Sequence, residues 1–179
     1  MSERALQAEL IDLVAAHQAE LYRYAYRLSG SQADAEDLTQ QTFLVAQAKL
    51  GQVREQDCRR AWLFAVLRNA WLKSRRRPQP TLDAGDLLDR LPGPETGDDP
   101  LDRERLQAAL NELPDEFKLV LLMFYFEGCS YQEIAQRLAI PSGTVMSRLS
   151  RAKGHLRARL LEADVAARRP LRLAAQTGT

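Results

Sequence analysis

The chain has 179 residues, 45% apolar and 27% charged, with a formal net charge of +1; this is a folded globular composition, enough for one ordinary domain or two small ones, and not that of a uniformly basic nucleic-acid binder. No run of about 18 apolar residues offers a membrane span, and MSERALQAELIDL lacks the basic-then-apolar layout of a signal peptide. Cys58 and Cys129 stand in different halves and make neither a CxxC pair nor a disulfide framework, and with His17 and His155 as the only histidines a zinc site is excluded too, so no metal or other cofactor is expected, in keeping with a reducing cytosol.

In the first half Leu6, Leu10, Leu13, Val14, His17, Leu21, Ala25 and Leu28 recur at 3–4 spacing and predict one buried stripe on a long helix. His17 is expected as a packed core histidine. Ser29-Gly30-Ser31 breaks the helix. Ser31 is the N-cap of a second helix with Asp34, Glu36 and Asp37 near its start, where the macrodipole favours acids. This helix runs from about Gln32 to Leu50 and stops at Gly51. A third is predicted from near Asp57, through RRAWLFAVLRNAWLKSRRR, to Pro78.

That third segment combines Trp62, Phe64 and Trp71 with Arg68, Asn69, Lys73 and three consecutive arginines. Two readings fit equally. Aromatics beside cations suit unstacked bases, which need π-faces and phosphate neutralisation. Aromatics on a helix whose Leu63, Val66, Leu67 and Ala70 face a core also suit that core, Trp71 among them.

Residues 78–100, PQPTLDAGDLLDRLPGPETGDDP, hold five of the eight prolines, three of the nine glycines and six acids. Such a stretch cannot sustain a long helix. It reads as an interdomain linker with at most one helical turn around Asp86-Leu87-Leu88, able to reach about 75–80 Å when extended.

The second half starts at Leu101. A helix through Leu106 and Leu110 is expected to end at Leu113-Pro114. Another, from Asp115 to Gly128, turns Phe117, Val120, Leu121 and Phe124 inward. Ser130-Tyr131-Gln132-Glu133 is a capping box that starts a short helix to about Leu138. After Ala139-Ile140-Pro141, Ser142 is expected to cap a last helix from about Gly143 to Leu161. The tail beyond, 164–179, reads as disordered. No segment has strand alternation. The fold class is all-α: two small helical domains, 1–77 and 101–163, joined by a Pro/Gly-rich acidic linker, 78–100.

Two short helices joined by a tight turn, the second basic, form a helix-turn-helix pattern. Ile134, Leu138, Ile140, Val145 and Leu149 supply its core, and Ala135 is small where the helices cross. Thr144, Ser147, Arg148, Ser150, Arg151 and Lys153 occupy the polar side, where hydroxyls and guanidinium groups reach phosphates and base edges. The helix start at Ser142 is suited to a phosphate.

Charge is segregated along the chain. Residues 52–77 carry a net +6, 78–104 a net −6 and 137–179 a net +7. Two basic segments are thus separated by an acidic one, and phosphate binding answers to such local fields.

The order of DAEDLTQQTFLVAQAKL, RAWLFAVLRNAWLKSRRR, the acidic linker and LPDEFKLVLLMFYFEGCSYQEIAQRLAIPSGTVMSRLSRAKGHL resembles the extracytoplasmic-function (ECF) sigma factors, two-domain initiation factors of bacterial RNA polymerase. The resemblance covers about residues 10–161. It implies that the first domain is sigma region 2, with Asp37, Gln40, Gln41 and Phe43 near a contact with the β′ clamp of core RNA polymerase, and that the factor also meets the β subunit. Arg54, Trp62, Arg68, Asn69, Lys73 and Arg76 would then open and hold the minus-ten promoter element; unstacking a base costs a few kcal/mol. The second domain would be region 4, reading the minus-thirty-five element as duplex DNA through Ser142, Thr144, Met146, Ser147, Arg148, Ser150, Arg151 and Lys153. The linker would span two promoter elements about 70 Å apart, at ~34–36 Å per helical turn. An anti-sigma partner, a monomeric free state and a cytoplasmic location are also implied.

Three positions depart from the family pattern. Gln41 stands where an acid is common. Ala139 replaces a frequent turn glycine, so the turn must avoid positive φ or accept strain. Met146 occupies a base-facing slot often held by arginine; it can touch a thymine methyl but not a guanine edge bidentately. A free-standing helix-turn-helix regulator would explain only residues 130–160. A decoy that binds an anti-sigma protein would not need Arg148, Arg151 and Lys153. An enzyme has no support: there is no glycine-rich phosphate loop, and His155, among arginines, is expected in solvent.

Overall fold

The computed structural model describes residues 3–53, 58–75 and 100–174. The chain divides into two units, Met1–Thr96 and Gly97–Thr179. The linker expected at 78–100 lies outside the described residues except for Pro100, as does the expected turn around Asp86. All described secondary structure is helical.

The first unit consists of α1 (Glu3–Ser29), α2 (Gln32–Lys49), a 3₁₀ turn (Leu50–Gln52) and α3 (Arg59–Arg75). The α1–α2 corner follows from its residues. Gly30 takes φ 72°, a conformation that only glycine adopts without strain. The Ser31 hydroxyl caps α2 by accepting the Asp34 N–H at 3.3 Å. Leu21, Tyr24, Ala25 and Leu28 of α1 are fully buried. They meet Ala35, Leu38, Thr39, Thr42 and Ala46 of α2 and Leu63, Phe64, Leu67 and Trp71 of α3, all buried. The small residues of α2 let the helices approach closely. The Thr39 and Thr42 hydroxyls donate to the Ala35 and Leu38 carbonyls, both at 2.7 Å, so neither enters the core unpaired.

Two ion pairs fasten the start of α3 to α1. Arg59 meets Glu9 at 2.6 Å, and Arg60 Nε donates to Glu20 at 3.1 Å. Tyr24 was absent from the expected stripe yet is completely buried. His17 is a correction: it is half-buried, 3.8 Å from Glu20, at the rim of the core.

The second unit consists of α4 (Pro100–Asn111), α5 (Asp115–Tyr125), α6 (Tyr131–Leu138) and α7 (Ser142–Ala174). Pro100 occupies the first helical position, where a missing N–H costs nothing. Every residue from Lys118 to Met123 of α5 is buried, in a helix against which α6 and α7 pack. Phe117 and Phe124, expected inward, are only half-buried, while Met123 is fully buried. Ala109, Leu110, Ile134, Val145, Leu149 and Ala152 complete the core.

The α5–α6 turn uses Gly128 at φ 68°. The capping box at Ser130 and Glu133 then starts α6 with both reciprocal bonds made. Ala139 does take the left-handed conformation, φ 53° and ψ 45°, so the turn accepts strain. Its geometry is held by the Ile140 N–H, which donates to the Ala135 carbonyl at 3.0 Å.

Two expectations about α7 are corrected. It begins at Ser142, with the Pro141 carbonyl accepting from Thr144 at 2.9 Å, so Ser142 lies in the first turn and does not cap it. At its other end it continues to Ala174, well past Leu161 and into the stretch read as a disordered tail. Leu160, Leu161, Glu162 and Ala163 are good helix formers. Arg105 of α4 also reaches Asp164 at 3.3 Å, which holds the helix beyond the expected stop.

Candidate nucleic-acid interface

The outward half of α7 is the most clearly defined surface. Met146, Ser147, Ser150, Arg151 and Lys153 are exposed, while Val145, Leu149 and Ala152 on the opposite side anchor the helix. A 100° step per residue places Met146, Ser147, Ser150 and Arg151 on one outward arc. Met146 is 52% exposed, an apolar side chain held in water. Ser142 is exposed in the first turn, and Thr144 is half-buried.

The cations differ in their engagement. Arg148 is only 21% exposed and donates to Glu116 of α5 at 2.6 Å. Lys153 Nζ lies 5.2 Å from the ring centre of Phe124 and 5.5 Å from that of Tyr125. Phe124 also stacks on Tyr131 at 5.5 Å, so these rings form an edge at which α5, α6 and α7 meet. Arg151 is exposed and, among the described residues, has no partner in the protein. The Ser147 hydroxyl donates back to the Thr144 carbonyl at 3.0 Å. Neither Glu116 nor the aromatic edge is visible in sequence, since Glu116 and Arg148 are 32 positions apart.

His155 is not in open solvent as expected. It is 31% exposed, with Nε2 3.4 Å from Glu112, in the turn just after α4. Glu112 also accepts from Arg159 at 2.6 Å, and the hydrogen bonds from Arg159 to Glu162 and then to Glu112 hold the Arg159 pKa above its ordinary value.

On α2 of the first unit, Asp37, Gln40 and Gln41 are exposed and share one stripe, with Gln41 donating to Asp37 at 3.1 Å. Leu44 continues that stripe one turn on and is 59% exposed. Sequence reasoning missed it, because an exposed leucine looks like a core leucine in a pattern of residue types. Phe43 is half-buried and points away from the stripe.

The basic aromatic helix α3 resolves its two readings residue by residue. Phe64 and Trp71 are core, 0% and 2% exposed, so for these two the core reading holds. Arg68 is also buried, 5% exposed, so it does not lie on an open basic face. Trp62, half-buried, and the exposed Asn69 and Lys73 share one stripe at i, i+7 and i+11. Arg54 and Arg76 lie outside the described residues.

Sequence comparison matches the Sigma-70 region 2 family over residues 13–81 and the Sigma-70, region 4 family over residues 103–156. SigL of Mycobacterium tuberculosis, an ECF RNA polymerase sigma factor, is 39% identical over 172 residues, covering 92% of this chain and 94% of its own. The chain belongs to the ECF sigma factor family. SigE of Mycolicibacterium smegmatis, another ECF RNA polymerase sigma factor, is 37% identical over 82% of this chain, which spans 59% of the length of that relative.

Among solved structures, this ECF-family chain is similar to the sigma factor RpoE of Bartonella quintana in complex with the anti-sigma factor NepR. That match has a TM-score of 0.64 and 27% identity, and covers 88% of this chain and 97% of the other. It is also similar to CnrH in complex with the cytosolic domain of CnrY, with a TM-score of 0.58 and 25% identity over 88% and 90% of the two chains. Within the family, α2 and α3 fall in region 2 and the α6–α7 pair in region 4. Among the described residues no helix is long and apolar enough to cross a membrane.

Proposed function

We propose that this ECF-family chain is a promoter-specificity subunit of bacterial RNA polymerase. The exposed Asp37–Gln40–Gln41–Leu44 stripe of α2 docks on the β′ clamp of the core enzyme, and Phe43 supports that helix from the side. The Trp62–Asn69–Lys73 stripe of α3 engages the minus-ten element, with Arg54 and Arg76 assisting. The outward arc of α7, Met146, Ser147, Ser150 and Arg151, lies in the major groove of the minus-thirty-five element, flanked by Lys153.

The subunit hydrolyses nothing. It contributes binding energy that offsets the unstacking of promoter bases. It acts in the cytoplasm, is monomeric when free and is held inactive by an anti-sigma protein. The RpoE–NepR complex supports that last reading.

The observation that carries the proposal is the pairing, in one chain, of region 2 and region 4 units, each with an exposed polar stripe facing away from its own core. The test is reconstitution with bacterial core RNA polymerase, scored by co-elution and by run-off transcripts from a genomic DNA pool. A stable complex that initiates at a shared sequence is expected. A folded chain that neither joins core enzyme nor directs initiation overturns the proposal.

A further inference from the structure

One polar contact from α5 to α7 occupies a cation of the helix-turn-helix. Arg148 sits on the flank of α7 that faces α5, and its Nη2 donates to Glu116 Oε2 at 2.6 Å. Glu116 stands in the first turn of α5 and is 54% exposed, whereas Arg148 is 21% exposed. Arg151, also on this helix, is exposed without a partner among the described residues. Two arginines of one motif are therefore presented differently: one neutralised and held sideways, the other open.

We infer that Glu116 is a specificity-determining positioning residue, which withholds Arg148 from phosphate so that Arg151 and its neighbours dominate the contact with duplex DNA. The inference rests on the proposed reading of α7 as the DNA-reading helix. An open guanidinium beside a phosphate attracts any sequence, through counterion release. Specificity is the difference between the right and the wrong affinity, so cancelling such a charge lowers the wrong affinity most. For Arg148 to reach a phosphate it would have to leave Glu116 and swing off the α5 flank.

The test uses the full chain and a fluorescent duplex of scrambled sequence, titrated across a range of salt. Glu116→Gln keeps the side-chain shape and removes the charge. Its expected effect is tighter binding of scrambled duplex, with an affinity that falls roughly three- to fourfold more than wild type between about 50 and 200 mM salt, the share of one added phosphate contact. The double variant Glu116→Gln/Arg148→Gln, which removes both charges of the pair, is expected to match wild type on scrambled duplex.

Weaker binding and a smaller salt dependence in the double variant than in wild type mean that Arg148 already rests on phosphate, which overturns the inference. A Glu116→Gln chain that melts earlier with unchanged DNA binding overturns it too, leaving the pair a structural tie. If Glu116→Gln does not fold, the double-variant comparison decides alone. Loss of the Glu116→Gln effect while wild type still directs run-off initiation counts against this inference only. Failure of initiation itself counts against the proposed function.

Discussion

The rings of Tyr24 on α1 and Phe64 on α3 meet edge to face, their centroids 4.9 Å apart at 78°. Both are completely buried, and the Arg60 guanidinium lies 4.8 Å from the centre of the Phe64 ring. This contact joins α1 to α3 and makes Phe64 a structural residue.

Phe64→Ala is therefore expected to destabilise the first unit by about 3–5 kcal/mol, the usual loss for an aromatic removed from a packed core. Both tryptophans, Trp62 and Trp71, belong to α3. Urea unfolding followed by tryptophan fluorescence thus reports on this unit alone. An unchanged midpoint would mean that Phe64 is not the buried anchor of α3.

At Ala139 the left-handed backbone carries strain that glycine would not. Ala139→Gly relieves roughly 1–2 kcal/mol of that strain but gives back about 0.4–1 kcal/mol in unfolded-chain entropy. A net gain of about 0.5–1 kcal/mol is expected. Amide exchange of α6 and of the start of α7 should slow by a matching factor; faster exchange would contradict a strained turn.

The capping box makes α6 sensitive to acid. The Ser130 N–H and then the Ser130 hydroxyl hold the Glu133 carboxyl below its ordinary value of 4.5, and Arg137 adds to this. A lowered folded-state pKa means that the stabilising contribution is complete above the ordinary value and fades as pH falls below it. Protection of the α6 amides is expected to drop in that acid range. Glu133→Gln can keep the capping bonds without titrating, so it should flatten that drop; an equal drop in both proteins would assign it to other groups.

On α7, Arg151→Ala should weaken promoter use by about 1–3 kcal/mol if its guanidinium reads a base edge. Initiation is measured from a promoter that depends on the minus-thirty-five element and from one that does not. The first should fall and the second should hold. An equal fall in both would make Arg151 a phosphate contact without sequence preference.

Much of this protein was legible along the chain because it depends on neighbours in sequence. The break at Ser29-Gly30-Ser31, the N-cap at Ser31 and the capping box at Ser130 arise from residues within three positions of one another. Apolar spacing located Leu21, Leu28, Val145 and Leu149 in the core, since helical periodicity needs no knowledge of the partner helix. Motif order along the chain was enough to indicate the family.

What remained open depended on side chains that meet only after folding. Residue type alone could not sort Trp62 from Trp71, because each is an aromatic on an amphipathic helix. Packing of α3 on α1 and α2 buries Trp71 to 2% exposure and leaves Trp62 half-buried beside the stripe of Asn69 and Lys73. Arg68 was likewise taken for a surface cation until the same packing enclosed it. Arg148 and Arg151 are the same residue in the same motif, and only the tertiary placement of α5 brings Glu116 to one and not the other. Local periodicity decides which helices form and where they start and stop. Which charges and rings stay available for a partner is decided by contacts between distant segments, because burial and ion pairing are properties of the assembled core.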